Sequence, residues 1–167
     1  MKCIGTSEED YHAVRQQSKK EVNFTVEGKP QGKARARTFY NPKLGRVQSM
    51  TPEKTVLYEN LVKQSFTQQT VEDVRWFNKE PLAMCITAYY PIPASTTKKD
   101  RQLIATGKLL PTKKPDADNV AKVICDALNG VAYGDDTQII KLVVLKAYTE
   151  GQPRVKVYIE EVEEGQV

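Results

Sequence analysis

Residues 114–139, "KPDADNVAKVICDALNGVAYGDDTQI", constrain the fold more tightly than any other stretch of the chain. Pro115 pushes Lys114 into an extended conformation, so a helix can begin only after it, and Asn129-Gly130 supplies a strong stop. The spacing predicts a helix over about 117–129. At about 100° per residue, Val120, Ile124, Ala127 and Leu128 share one face while Asp118, Lys122 and Asp126 lie roughly opposite. The helix therefore docks through its apolar side and shows its charges to solvent. Asp116 stands two residues before Asp118 in the extended lead-in, so both carboxylates can point to one side. Asp135 and Asp136 fall in the turn that follows, where the chain doubles back toward the helix start and enters a strand at Gln138.

The remaining segments read as partners for that helix. "VNFTVEG" alternates Val22, Phe24 and Val26 with polar neighbours, the period of a half-buried strand, and "GKPQGKARAR" continues as a turn and a row of alternating bases. "NPKLGR" makes another turn. "TPEKTVLYENLVKQSF" opens with Thr51 as a cap, Pro52 at the first helical position and Glu53 in the first turn, which predicts a helix over about 52–67. Its inner face is expected to carry Leu57, Tyr58, Leu61, Val62 and Ser65. "PLAMCITAYYPIP" reads as a buried strand closed by Pro91 and Pro93, and residues 95–114 as a basic loop with some helix. "TQIIKLVVLKAY" and "PRVKVYIEEV" are two strands, and the "TEGQP" between them is a hairpin signature. The fold class that emerges is α+β: a single domain with a mixed β-sheet of four or more strands and two main helices packed on it.

Length and charge bound the rest. A chain of 167 residues supports one core, expected over residues 21–167, with residues 1–20 as a polar N-terminal arm outside it. Charged residues make up 28% and mean hydropathy is −0.54, with no run approaching the roughly 18 apolar residues of a membrane span, so the expectation is a soluble protein without membrane contact. The N-terminus lacks a continuous apolar signal region, and Cys3, Cys85 and Cys125 are too few and too scattered for a disulfide framework, which points to the cytoplasm. The net charge of +4 is concentrated. Lys29, Lys33, Arg35, Arg37, Lys43 and Arg46 occur with no acid among them, and Lys98, Lys99, Arg101, Lys108, Lys113 and Lys114 with Asp100 alone. Two such tracts suit a polyanion.

Crowded carboxylates repel, and a fold keeps them together mainly when a cation sits among them. All-oxygen ligands suit Mg²⁺ or Mn²⁺, and with His12 the only histidine an imidazole zinc site is excluded. A divalent cation on Asp116, Asp118 and Asp136 would polarise a phosphoryl oxygen and acidify a bound water, and Lys122 would balance charge building on a phosphodiester under attack. Ordinary roles compete with each reading. Asp116 or Asp118 could cap the helix, Asp118 and Lys122 could be a surface ion pair, Asp135-Asp136 could be a polar turn, and either basic tract could be solvated surface.

The same segment resembles the signature of the RusA family of crossover-junction endodeoxyribonucleases: a D-x-D-N-x-x-K helix start, a D-A-L-N-G helix end and a D-D-x-Q turn into a strand. A weaker likeness runs over residues 22–161, through "GKPQGKARAR" and "TPEKTVLYE". The resemblance implies metal-binding and catalytic roles for Asp116, Asp118 and Asp136, a catalytic role for Lys122, and a lesser one for Asp135. It implies Mg²⁺, with Mn²⁺ as a substitute, a homodimer, and four-way or branched DNA as the partner in recombination and repair. Lys33, Arg35, Arg37, Lys113 and Lys114 are then the expected phosphate contacts. A non-catalytic branched-DNA-binding protein with a metal-filled carboxylate cluster, and a small-molecule phosphohydrolase, are the alternatives.

Overall fold

A computed structural model of the chain describes residues 20–70, 77–163 and 165. Its elements in order are β1 (Glu21–Glu27), β2 (Arg37–Asn41), β3 (Arg46–Met50), α1 (Glu53–Gln69), β4 (Leu82–Pro91), α2 (Lys98–Ala105), α3 (Ala117–Leu128), a 3₁₀ turn (Asp136–Gln138), β5 (Ile139–Thr149) and β6 (Arg154–Glu161). The N-terminal arm expected over residues 1–20 lies outside the described residues, Lys20 apart.

Four strands form a mixed sheet in the order β1-β6-β4-β5, and β2 and β3 form a separate antiparallel ribbon. β6 runs antiparallel to both β1 and β4, and β4 runs parallel to β5. The α+β class is therefore observed, with a mixed sheet. The hairpin expected between the last two strands is not: β4 lies between β5 and β6. Two strand spacings are roughly 10 Å, a gap that the four residues from Glu150 to Pro153 can step across. The physical reason is burial. β6 carries Val155, Val157 and Ile159 fully into the core and satisfies both its edges, against β1 and β4, whereas β5 is left on the outside of the sheet.

Alternation sets the core face. Val22, Phe24 and Val26 of β1, Met84, Ile86, Ala88 and Tyr90 of β4, and Val155, Val157 and Ile159 of β6 are all buried. Two helices cover that face. α3 buries Val120, Val123, Ile124 and Leu128 completely, and each such side chain contributes about 1.5–3 kcal/mol. α1 packs on β1 and α3 through Thr55, Tyr58, Val62, Ser65 and Phe66, with the Phe66 ring edge-on to Phe24 at 5.4 Å. The expected inner face of α1 is thus corrected: Leu57 and Leu61 are exposed, because seating Phe66 on Phe24 turns them outward. The third helix, α2, has no buried side chain and is capped by Thr97, whose hydroxyl oxygen accepts from the Asp100 amide at 3.1 Å.

Candidate active site

α3 places the acidic residues, and its apolar stripe decides where they point. With Val120, Val123, Ile124 and Leu128 locked into the core, Asp118 and Lys122 are exposed, as the periodicity predicts. Asp116 occupies the N-cap position and its backbone carbonyl accepts from the Val120 amide at 3.1 Å, yet its side chain makes no capping hydrogen bond. Asp118 has only a long contact to the Asn119 amide nitrogen, 3.4 Å. Lys122, one turn away from Asp118, forms no ion pair with any described residue. Side-chain cap and surface ion pair are therefore both absent among the described residues, while Asp118, in the first turn of α3, still faces the positive end of the helix dipole.

The following turn separates its two aspartates by function. Asp135 caps the 3₁₀ turn, its Oδ1 accepting from the Thr137 amide at 2.9 Å, and the Gln138 side-chain oxygen accepts from the amides of Gly134 and Asp135 at 2.9 and 3.1 Å. Hydrogen bonds from Thr137 hold the Asp135 carboxyl below its ordinary pKa. Asp136 is exposed and spends its carboxylate on no described partner. It lies near enough to Cys125 and Tyr133 to act on both: burial pushes the Cys125 thiol up to about 11, opposed by its bond with Tyr133 and reinforced by the charges of Asp136 and Asp126.

Among the described residues no three carboxylate, histidine or cysteine side chains are gathered as a metal cage. The donor set still fits a hard cation. Asp116, Asp118 and Asp136 offer oxygen only, are exposed, and are not engaged by a described Lys or Arg.

The basic residues divide. Lys33 is turned inward, 21% exposed, and its ammonium lies between the carboxylates of Glu59 on α1 and Asp126 on α3, the latter at 2.9 Å. Burial would lower its pKa, but hydrogen bonds to Glu59 and Asp126 outweigh that and raise it. With its charge neutralised twice over, Lys33 ties the 29–33 segment to both helices, and its amide completes the tie by donating to the Asn119 carbonyl at 2.8 Å. Asp126 is removed from the free acids by the same contact. Arg35 and Arg37 line a cleft of about 440 Å³, and Lys114 lines another of about 360 Å³ together with Asp116. Lys113 is exposed.

One positioning residue escaped sequence reasoning. Lys146 of β5 donates to the carbonyls of Lys113 and Pro115 at 2.7 and 2.9 Å and lies 5.5 Å from the Tyr90 ring centre. It ties the lead-in of α3 to the sheet. A lysine within an apolar strand carries no signal of that, because its partners are backbone atoms of a distant loop.

Comparison with known proteins agrees with the residue pattern. The family model described as endodeoxyribonuclease RusA matches residues 27–160. "Uncharacterized protein YqaN" of Bacillus subtilis (strain 168) is 36% identical over 143 residues, spanning 84% of this chain and 96% of that protein. The matched range takes in α1, the basic segment before it, the whole of α3 with its carboxylates, β4, β5 and nearly all of β6, and only the last residue of β1. On that match the chain belongs to the RusA family of endodeoxyribonucleases.

Proposed function

We propose that this protein is a Mg²⁺-dependent, structure-selective endodeoxyribonuclease that resolves Holliday junctions by paired phosphodiester hydrolysis in DNA recombination and repair. The observation that carries this reading is the set of exposed groups on and before α3, Asp116, Asp118 and Lys122, which make no side-chain cap and no ion pair with a described residue, beside a cleft lined by lysines. Exposed charged groups not consumed by caps or ion pairs among the described residues, placed next to a cleft lined by lysines, suit phosphodiester chemistry. In the reaction a water oxygen joins phosphorus, one ester P–O bond breaks, and the departing oxygen takes up a proton. Mg²⁺, or Mn²⁺ in its place, held by Asp116, Asp118 and Asp136, would supply positive charge to the phosphoryl oxygen and acidify the attacking water. Lys122 balances negative charge on the transferring group, and its freedom from Asp118 leaves its ammonium available for that role.

A homodimer belongs to the same reading. A four-way junction has near two-fold symmetry, so two sites related by a dyad cut strands of like polarity. The surface that supports it is β5, the outer strand of the sheet, eleven residues long, with Ile140, Leu142, Val143 and Leu145 exposed. Long apolar edge strands pair with another chain unless something covers them.

The test is incubation with a synthetic mobile four-way junction and a matched linear duplex, with and without Mg²⁺. Paired, symmetric nicks in the junction alone, and only with metal, are expected. Tight junction binding with no cutting in Mg²⁺ or Mn²⁺ would instead establish a non-catalytic branched-DNA-binding protein.

A further inference from the structure

The cleft that holds Asp116 is lined by Lys29, Lys54 and Lys114, and Lys54, Gln31 and Gly32 also line the neighbouring cleft of Arg35 and Arg37. The two clefts therefore adjoin, with the 31–32 backbone as their common floor. That floor is closely packed. A Cβ on Gly32 would come within 2.7 Å of the Pro115 Cβ and 3.1 Å of the Asn119 Cβ, so the segment lies flush on the start of α3, and the bond from the Lys33 amide to the Asn119 carbonyl fixes it there. Lys54, in the first turn of α1, is the one basic residue that borders both clefts.

We infer that Lys54 binds a backbone phosphate of the DNA strand where it passes from the Asp116 cleft to the Arg35–Arg37 cleft, and so sets which phosphate reaches the carboxylates. The inference rests on the endonuclease reading and extends it to a residue and a strand path. Lys29 and Lys114 face the same phosphate run on the Asp116 side, and Arg35 and Arg37 receive it on the other. Three chain segments contribute, namely the 29–37 segment, the start of α1 and the lead-in to α3, so no single basic tract in the sequence marks the path. Lys54 is exposed and has no ion pair with a described residue, so its charge is not spent inside the fold. It acts as a positioning residue: it touches the strand beside the reacting phosphate and not the reacting atoms.

The experiment compares the parent with Lys54→Ala and Lys54→Arg for binding to a synthetic four-way junction across a salt series, and maps the nicks on the same junction with Mg²⁺. Losing one phosphate contact should lower the steepness of log affinity against log salt by about one, and weaken binding several-fold at about 0.1 M salt. Lys54→Ala should also scatter or shift the nick position, and Lys54→Arg should restore both slope and position. A Lys54→Ala protein with unchanged salt slope and unchanged nick position overturns the inference. The two readings fail separately. If the parent binds junctions without cutting them, the endonuclease reading falls while the salt slopes still decide whether Lys54 holds a phosphate. If the parent binds no DNA at all, both fall together.

Discussion

Asp118, Lys122 and Lys33 are three charged residues within reach of one helix, and the structure gives them opposite tasks. Asp118 and Lys122 are exposed and form no ion pair with a described residue, so removing them costs the fold little. Asp118→Asn is expected to abolish cleavage of a four-way junction while binding and melting temperature stay near the parent's. Lys122→Ala should slow single-turnover cleavage by on the order of a hundredfold, as loss of other transition-state donors does, and added Mg²⁺ should not restore it because lysine is no metal ligand. Rescue by Mg²⁺ would reassign Lys122 to charge balance alone. Lys33 is the reverse case. Lys33→Ala leaves the Glu59 and Asp126 carboxylates facing each other without their cation. For a pair between fully buried and exposed, the cost should be about 1–3 kcal/mol, read by urea unfolding. The folded pKa of Lys33 is raised above its ordinary 10.5, so its stabilisation is complete below that value and is lost as pH climbs through the folded one. The gap between variant and parent should then hold at neutral pH and narrow in strong alkali. An equal decline of DNA-binding salt slope in Lys33→Ala would show instead that Lys33 reaches a phosphate.

At the scale of elements, the 3₁₀ turn shows how one aspartate frees its neighbour. Asp135 serves the turn as its cap, with Gln138 bonding back to the turn and donating to the Glu80 carbonyl at 3.1 Å, so the turn is anchored to the segment before β4 and Asp136 is left for solvent. The hydrogen bonds that cap the turn lower the Asp135 pKa from 3.8, which makes its contribution present above pH 3.8 and lost as pH falls through the lower folded value. Asp135→Asn keeps the shape and removes that charge. It should melt below the parent at neutral pH, and the difference should close in acid below pH 3.8. A difference that persists there would mean that shape, and not charge, is what Asp135 supplies. α3 and α1 illustrate a different lesson. Both helices begin and end within two residues of the expected bounds, although α1 starts at Glu53 with Pro52, and not Thr51, at its N-cap and neither helix has a side-chain cap; only α3 presents the expected face, because its apolar residues are more continuous than those of α1.

For the whole molecule, the decisive feature is a sheet covered on one face by α1 and α3 and ending in β5. Val143 and Leu145 share one face of that strand, opposite Cys85 and Thr87 on β4, and are 37% and 52% exposed, which is more apolar surface than an unpaired edge usually keeps. The double change Val143→Lys, Leu145→Lys is expected to give a monomer in sedimentation equilibrium, with junction cutting lost or reduced to single nicks. Leu57→Lys, on α1 and more exposed than either, should leave the proposed dimer intact. Dissociation by the Leu57 variant alone would move the interface to α1. No helix among the described residues is long and apolar enough to cross a membrane.

The chain by itself determined whatever depends on neighbours within a few residues. Pro115 and Asn129-Gly130 bounded α3, the helical period turned Asp118 and Lys122 outward, Pro52 and Glu53 announced α1, and strict alternation in "VNFTV" marked β1. Caps, breakers and periodicity act locally, so they can be read locally. Tertiary structure alone decided the rest. "TEGQP" would serve a hairpin or a step over one strand equally well, and burial of β6 between β1 and β4 chose the second. Lys33 looked like one base in a row of bases until Glu59 and Asp126, from two different helices, closed on it. Lys54 gained its place between two clefts only when the 29–37 segment folded across the starts of α1 and α3. A charge becomes a strut or a free contact according to which distant groups approach it, and that approach is set by the packing of the core.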